Sequence, residues 1–202
     1  MMVRRVLIAT LYGAEPVLMA IARLGVERVV LLIDYNPDKI QQESLEKIKT
    51  SLGKAVRIET LKTSNYDIVE IASKCVELID LKAKDEEIHV NITSGRKTKA
   101  IGLLFAAYAR HDYVSRISYY PEEQEIASVV YLPKLSFKLS RSQKMILEAL
   151  EKGKYRSIKD LSKRVKLSTA MLYRAIDELR DDDFVTVDGE IKLTDAGRIA
   201  RL

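Results

Sequence analysis

Ile88-His89-Val90-Asn91-Ile92-Thr93-Ser94-Gly95-Arg96-Lys97-Thr98 decides the fold of the first two thirds of this 202-residue chain. A short strand-like run stops at an amide, hydroxyls, a glycine and two cations, and a helix-length segment over roughly 96–110 follows. That is the strand–loop–helix joint of an open α/β sheet. The same joint recurs upstream. Runs at Val6-Leu7-Ile8-Ala9, Val29-Val30-Leu31-Leu32-Ile33, Val56-Arg57-Ile58 and Ile117-Ser118-Tyr119-Tyr120 alternate with helix-length segments near 14–25, 37–52 and 66–82. The segment 66–82 sets Ile68, Ile71, Ala72, Cys75, Leu78 and Ile79 on one face, at spacings of three and four. Continuous β-branched runs between helices predict a parallel sheet covered on both faces. The turn Pro121 to Glu125 separates Tyr119-Tyr120 from the run Ile126 to Leu132 and predicts a last, antiparallel strand. The expected fold class is α/β: a Rossmann-like, mostly parallel sheet with a C-terminal hairpin strand over residues 1–133, followed by a second domain over 134–202.

After Pro133 the period changes. Ser140-Arg141-Ser142 caps a helix burying Met145, Ile146 and Leu150 and ended by Gly153. Ser157 caps a second, with Ile158, Leu161 and Val165 inward. Ser168 caps a third, with Leu172, Ile176 and Leu179 as its buried stripe. Phe184-Val185-Thr186-Val187, the turn Asp188-Gly189 and Glu190-Ile191-Lys192-Leu193 read as a hairpin, and Thr194 opens a short closing helix. Three helices and a hairpin are the order of a winged helix-turn-helix.

Composition narrows the function. Apolar residues make up 47% and charged residues 31% of the chain, enough for a packed core. No apolar run approaches the roughly 18 residues of a spanning helix, so no membrane is expected. Met1 to Arg5 fit the start of a first strand better than a signal peptide. One cysteine excludes an intramolecular disulfide. With two histidines it makes a metal cluster implausible, so the chain reads as intracellular, without a metal. Lysine and arginine number 18 against 18 acids in residues 1–133, but 16 against 11 in residues 134–202. The excess of +5 therefore sits in the last third, as in a phosphate-backbone binder. Small helical domains that bind nothing also carry such an excess.

In the third helix of a helix-turn-helix, the N-terminal exposed residues face base edges in the major groove of double-stranded DNA. The outward set is Thr169, Ala170, Tyr173, Arg174 and Asp177. Arg174 suits a bidentate pair with guanine, and Ser168 and Thr169 suit phosphates or a thymine methyl. Lys163, Lys166 and the wing residue Lys192 suit phosphates. The same surface would serve a protein-interaction module, which stays open. Asp181-Asp182-Asp183 would repel a nucleic-acid backbone and is expected away from the groove.

In an open sheet, ligands bind beyond the carboxyl ends of the strands where strand order reverses, here between the first and fourth strands. The loops there are Thr10-Leu11-Tyr12-Gly13 and Asn91 to Thr98. Gly95 permits close backbone approach. Helix N-terminal N–H groups with Arg96 and Lys97 would attract an anion, and a phosphate-bearing ligand is the inference. The alternative is an ordinary helix start with solvated cations. A dinucleotide fingerprint needs three glycines after the first strand and finds only Gly13, so Asp34 at the end of the second strand is a weak ribose partner. Gly95-Arg96-Lys97-Thr98 lacks the register and upstream glycine of a phosphate-binding P-loop. His89, His111 and Cys75 read as structural. Of the tyrosines only Tyr12, inside a candidate loop, is singled out.

A Rossmann-like domain carrying Asn91-Ile92-Thr93-Ser94-Gly95-Arg96-Lys97 after its fourth strand, joined to a winged helix, resembles the CARF family, the CRISPR-associated Rossmann-fold proteins. It resembles in particular their archaeal winged-helix transcriptional regulators. The loop is similar to the family's N-x-T-G-G-x-K pattern, with Ser94 where a glycine is common; the other matching element is Thr10 to Gly13. The resemblance implies a cytoplasmic homodimeric regulator on a palindromic operator. Its paired loops would hold a cyclic oligoadenylate, commonly the tetra-adenylate, as regulatory ligand with no cofactor. The ligand set is then Thr10, Leu11, Tyr12, Gly13, Asn91, Thr93, Ser94, Gly95, Arg96 and Lys97. Some CARF domains cleave their ligand slowly, and Thr10 and Lys97 would take the parts of hydroxyl and cation. Neither loop offers a histidine as general base, so little or no catalysis is expected. The alternatives are a ring nuclease and a metabolite-responsive repressor unconnected to CRISPR.

Overall fold

Val6, Leu7, Ile8 and Ala9 are all fully buried, so the strand that carries them must be covered on both faces and flanked on both edges. The computed structural model, which describes residues 4–120, 130–132 and 138–202, puts it there. In chain order the elements are β1 (Arg4–Thr10), α1 (Glu15–Leu24), β2 (Arg28–Asp34), α2 (Lys39–Leu52), β3 (Arg57–Thr63), α3 (Ile68–Lys82), β4 (Glu86–Asn91), α4 (Lys97–Ala109), β5 (Val114–Tyr119) and β6 (Val130–Leu132). A second set follows: α5 (Arg141–Lys152), α6 (Ile158–Val165), α7 (Thr169–Asp181), β7 (Val185–Asp188), β8 (Glu190–Leu193) and α8 (Asp195–Ala200). The chain divides into two compact units, Met1–Ser136 and Phe137–Leu202.

In the first unit the strand order is β3-β2-β1-β4-β5-β6. The first five strands are parallel and β6 pairs antiparallel with β5. This is the expected mostly parallel sheet with a final hairpin strand. The turn Pro121 to Glu125, the run Ile126 to Val129 and the boundary at Pro133 lie outside the described residues. Right-handed crossovers send α1 and α2 to one face and α3 and α4 to the other, because the order reverses between β3 and β4. Leu7, Leu11, Val29 and Leu31 pack with Val17, Ile21 and Ile48 on the first face. On the second, α3 lies so close to α4 that a Cβ on Gly102 would meet Ile71 Cγ2 at 2.6 Å. Asp38 and Asp67 cap α2 and α3 by accepting the N–H of Gln41 and Glu70.

The second unit packs α5, α6 and α7 with β7 and β8 around Ile146, Leu147, Leu150, Leu161, Leu172, Ile176, Leu179 and Ile191. Ser140 and Gln143 form a full capping box at the start of α5, and Ser157 and Ser168 cap α6 and α7. Met145 is only half-buried, and Leu147 takes the fully buried place instead. The α5 stripe thus includes Ile146, Leu147 and Leu150. In the wing, β7 runs through Asp188, which pairs with Glu190 across Gly189 alone, at φ +64°. Ile191 N–H also donates to the Tyr155 carbonyl, adding a bridge between the α5–α6 connection and the hairpin. The architecture is a Rossmann-like domain followed by a winged helix-turn-helix.

Candidate functional site

Because β1 and β4 are neighbours, the loops after them leave the sheet side by side. Ser94 stitches them. Its Oγ accepts the N–H of Tyr12 and of Gly13, each at 2.9 Å, and donates to the Gly13 carbonyl at 3.2 Å. Gly95 sits at φ +93°, and a Cβ there would lie 3.1 Å from Thr10 Cβ. Glycine is needed for both reasons, the positive φ and the close approach. Thr93 Oγ1 accepts the N–H of Tyr120, tying the loop to the end of β5. Asn91 donates from Nδ2 to Ser118 Oγ at 3.1 Å, while its Oδ1 accepts the Thr93 N–H. The polar side chains that looked like ligand groups thus spend hydrogen bonds on building the loops.

The loop residues differ in what they can offer a ligand. Thr10, Leu11 and Asn91 are fully buried. Leu11 belongs to the core, and the Thr10 hydroxyl is buried without a hydrogen-bond partner. Their contribution is backbone and shape. Tyr12 is partly exposed, and Gly13, Thr93 and Gly95 are half-buried. A cleft of about 800 Å³ opens beside the loops, lined by Tyr12, Gly13, Ser94, Gly95, Met19 and Tyr120 among others. Arg96 and Lys97 do not line it.

Those two cations also part ways. Arg96 Nε lies 3.2 Å from Asp34 Oδ2, and this bond and charge hold its pKa above the ordinary value. Its guanidinium lies 5.9 Å from the centre of the exposed Tyr66 ring. Lys97 is exposed, with no hydrogen bond or ion pair to any described residue. It stands at the first position of α4, where the orphan N–H groups point outward. Lys97 is the cation that can meet an anion at no cost in broken pairs.

Sequence reasoning missed Lys99. It is fully buried, and its Nζ faces Thr63 Oγ1 at 2.6 Å, Ser64 O at 2.9 Å, Ile33 O at 3.2 Å and Thr63 O at 3.3 Å. Asp34 Oδ1 lies 3.1 Å away. Burial pushes the Lys99 pKa down, and the bond and charge of Asp34 oppose that. Asp34, which sequence offered as a weak ribose partner, is buried and holds both Lys99 and Arg96. Its signal was periodic: Lys99, Gly102, Leu103 and Ala106 lie at helical spacing on the inward face of α4. Gln41 escaped notice as well; it is buried and bridges the Leu11 carbonyl and the Asp34 N–H.

On α7, Ser168, Thr169, Ala170, Tyr173 and Arg174 are exposed, and so is Met171. The Ser168 side chain accepts the Met171 N–H as the cap. Arg174 pairs with Glu178 at 3.0 Å on a side chain that is 85% exposed. Lys163, Lys166 and Lys192 are exposed; Lys163 lies 3.4 Å from Asp160 and Lys192 lies 3.0 Å from Glu190. Lys166 ends α6 with φ at +53°. Asp181 to Asp183 lie at the far end of α7, about 20 Å from Ser168 for a 13-residue helix.

These two units define a class: a CARF-like domain joined to a winged helix-turn-helix of the DNA-binding kind. Residues 5–125 match the family model HFX_2341_N:-like, N-terminal, and residues 139–186 match the winged helix-turn-helix DNA-binding model HTH_24. The chain belongs to the HFX_2341_N:-like family. Among solved structures it is similar to Can2 from Sulfobacillus thermosulfidooxidans in complex with cyclic tetra-adenylate, at 14% identity and a TM-score of 0.51, over 98% of this chain and 64% of that one. Enterococcus italicus Csm6 bound to cyclic hexa-2′-fluoro-hexa-dAMP matches at 16% identity and 0.51, over 90% and 55%. VC1899 from Vibrio cholerae matches at 12% and 0.52, over 98% and 64%. The chain spans less than two thirds of each of these proteins, and at such identities the likeness is one of fold. A comparison with curated proteins returns no match. No helix among the described residues is long and apolar enough to cross a membrane.

Proposed function

We propose that this chain is a transcriptional regulator acting in the cytoplasm as a homodimer. Its winged helices bind a palindromic DNA operator, and its N-terminal domains hold a cyclic oligoadenylate, the tetra-adenylate by preference, across the two-fold axis. The observation that carries the reading is the pair of stitched loops at the switch point, with unpaired Lys97 opening α4, in a chain that continues into a winged helix. A ring of phosphates asks for convergent N–H groups and cations, and symmetry would supply two sets. Can2 and Csm6, which share the fold, are each described with a cyclic oligonucleotide. Coupling follows if the ring favours one dimer arrangement over another, since a ligand shifts an equilibrium only by its differential affinity. Within the ligand set, Lys97 is the phosphate contact, Tyr12, Gly13 and Gly95 shape the seat, and Thr10, Leu11, Asn91, Thr93 and Ser94 hold the loops in place. Arg96 contributes once it leaves Asp34. Thr10, which a ring nuclease would need, has its hydroxyl fully buried, and this favours sensing over cleavage.

The test is fluorescence anisotropy of promoter DNA with and without cyclic tetra-adenylate, on the wild type and Lys97→Ala. The reading expects DNA affinity to change with the ring in the wild type and not in the variant. An unchanged affinity in the wild type contradicts it.

A further inference from the structure

We propose that α7 reads DNA chiefly through thymine 5-methyl groups, so that the operator is thymine-rich beneath the helix; this rests on the DNA-binding reading above. The outward residues of the first turns are mostly apolar. Met171 is 52% and Tyr173 53% exposed, Ala170 is exposed, and Thr169 adds a methyl. The core does not need them, because Leu172, Ala175, Ile176 and Leu179 already complete the buried stripe. Neither the Met171 nor the Tyr173 side chain has a hydrogen bond or ring contact with any described residue. Apolar side chains on a recognition helix find one apolar partner on base edges in the major groove, the thymine methyl.

Guanine, the alternative target, has a single candidate reader on this face. Arg174 is the one fork among these residues, and Glu178 Oε1 holds its Nε. The other Glu178 oxygen accepts from Nε2 of Gln143, which is itself anchored in the α5 capping box. Held at Nε, the guanidinium keeps Nη1 and Nη2 for the two acceptors of a single guanine, so guanine readout is confined to this one residue while methyl-bearing and apolar side chains make up the rest of the face. Asp177, one turn on from Tyr173, adds a second carboxylate, paired with Arg180 at 3.1 Å. Charge complementarity to the duplex comes from next door, where Lys159, Lys163 and Lys166 are exposed on α6 and its cap.

Selection of bound duplexes from a random pool with the full chain tests this. Thymines in the best duplex are then replaced by deoxyuridine, which lacks only the methyl. Enriched thymines are expected, with about a fourfold loss of affinity per contacted methyl removed, or ~0.8 kcal/mol each. Met171→Ala and Tyr173→Ala should erase the thymine–deoxyuridine difference while leaving the melting temperature alone, since both side chains are exposed. Enrichment of guanines with indifference to deoxyuridine overturns the inference and leaves the DNA-binding reading standing. No enrichment and no duplex binding overturns both.

Discussion

Lys99→Met removes one ammonium and should weaken the N-terminal unit by about 3–5 kcal/mol, the usual cost of breaking a buried ion pair by deleting one partner. The local geometry explains the size. Five oxygens lie within 3.3 Å of Nζ: three carbonyls, the Thr63 hydroxyl and Asp34 Oδ1. Methionine fills most of the space but donates to none of them, and Asp34, 3% exposed, keeps only Arg96. The double variant Asp34→Leu with Lys99→Met should be less damaging than Lys99→Met alone, because the carboxylate left buried by the single change is gone and Arg96, which loses it, is 35% exposed and can turn to water. The chain supplies its own probe. Cys75 is its one cysteine, lies fully buried on α3, and burial pushes its thiol pKa to about 12. Thiol labelling in a urea series therefore reports opening of the N-terminal unit and ignores the winged helix. A loss below about 1 kcal/mol in Lys99→Met, or a double variant worse than the single, would refute the account of this buried pair.

The other predictions concern the loops and pH. Ser94→Ala strands the Tyr12 and Gly13 N–H groups at roughly 1–3 kcal/mol each, toward the low end because both residues are partly solvated, and the urea midpoint measures it. Gly95→Ala forces a side chain to φ +93° against Thr10 and should lower the melting temperature. Thr10→Val replaces an unpartnered hydroxyl with a methyl and should leave stability unchanged or raised, as calorimetric melting would record. His89 is buried, and burial pushes its pKa below the usual imidazole value near 6.5, with Glu87 opposing and Arg5 and Arg116 assisting. The unfolded chain then takes up a proton that the folded one refuses, so stability falls as pH drops through that value. Comparison of the wild type with His89→Val from pH 8 to 5 should show the steeper fall in the wild type.

The elements were legible where periodicity is local. Val29 to Ile33 announce a buried strand, and Ser140, Ser157 and Ser168 announce helix starts, because strand burial and capping depend on near neighbours in sequence. Residues whose role depends on convergence were not legible. Spacing alone puts Lys99 on the inward face of α4, but the oxygens it meets, like the two groups Gln41 bridges, are assembled only when the ends of β1, β2 and β3 are brought together. Arg96 and Lys97 are adjacent and chemically alike in sequence, and only the position of Asp34 separates a tethered cation from a free one. Met171 was passed over because an exposed methionine cannot be told from a core one by type. Leu147, four after Gln143 and three before Leu150, shares their buried face, whereas Met145 lies about 200° round the helix from Leu147, so here the spacing itself pointed to Leu147.

Everything proposed for the N-terminal domains turns on whether they bind a cyclic oligoadenylate. Calorimetric titration of the full chain with cyclic tetra-adenylate, with a linear oligoadenylate as control, tests it most directly. Tight binding at one ring per two chains is expected, with weak or no binding of the linear form and loss of binding in Lys97→Ala. No binding of the ring, or equal binding of ring and linear chain, would contradict the proposal.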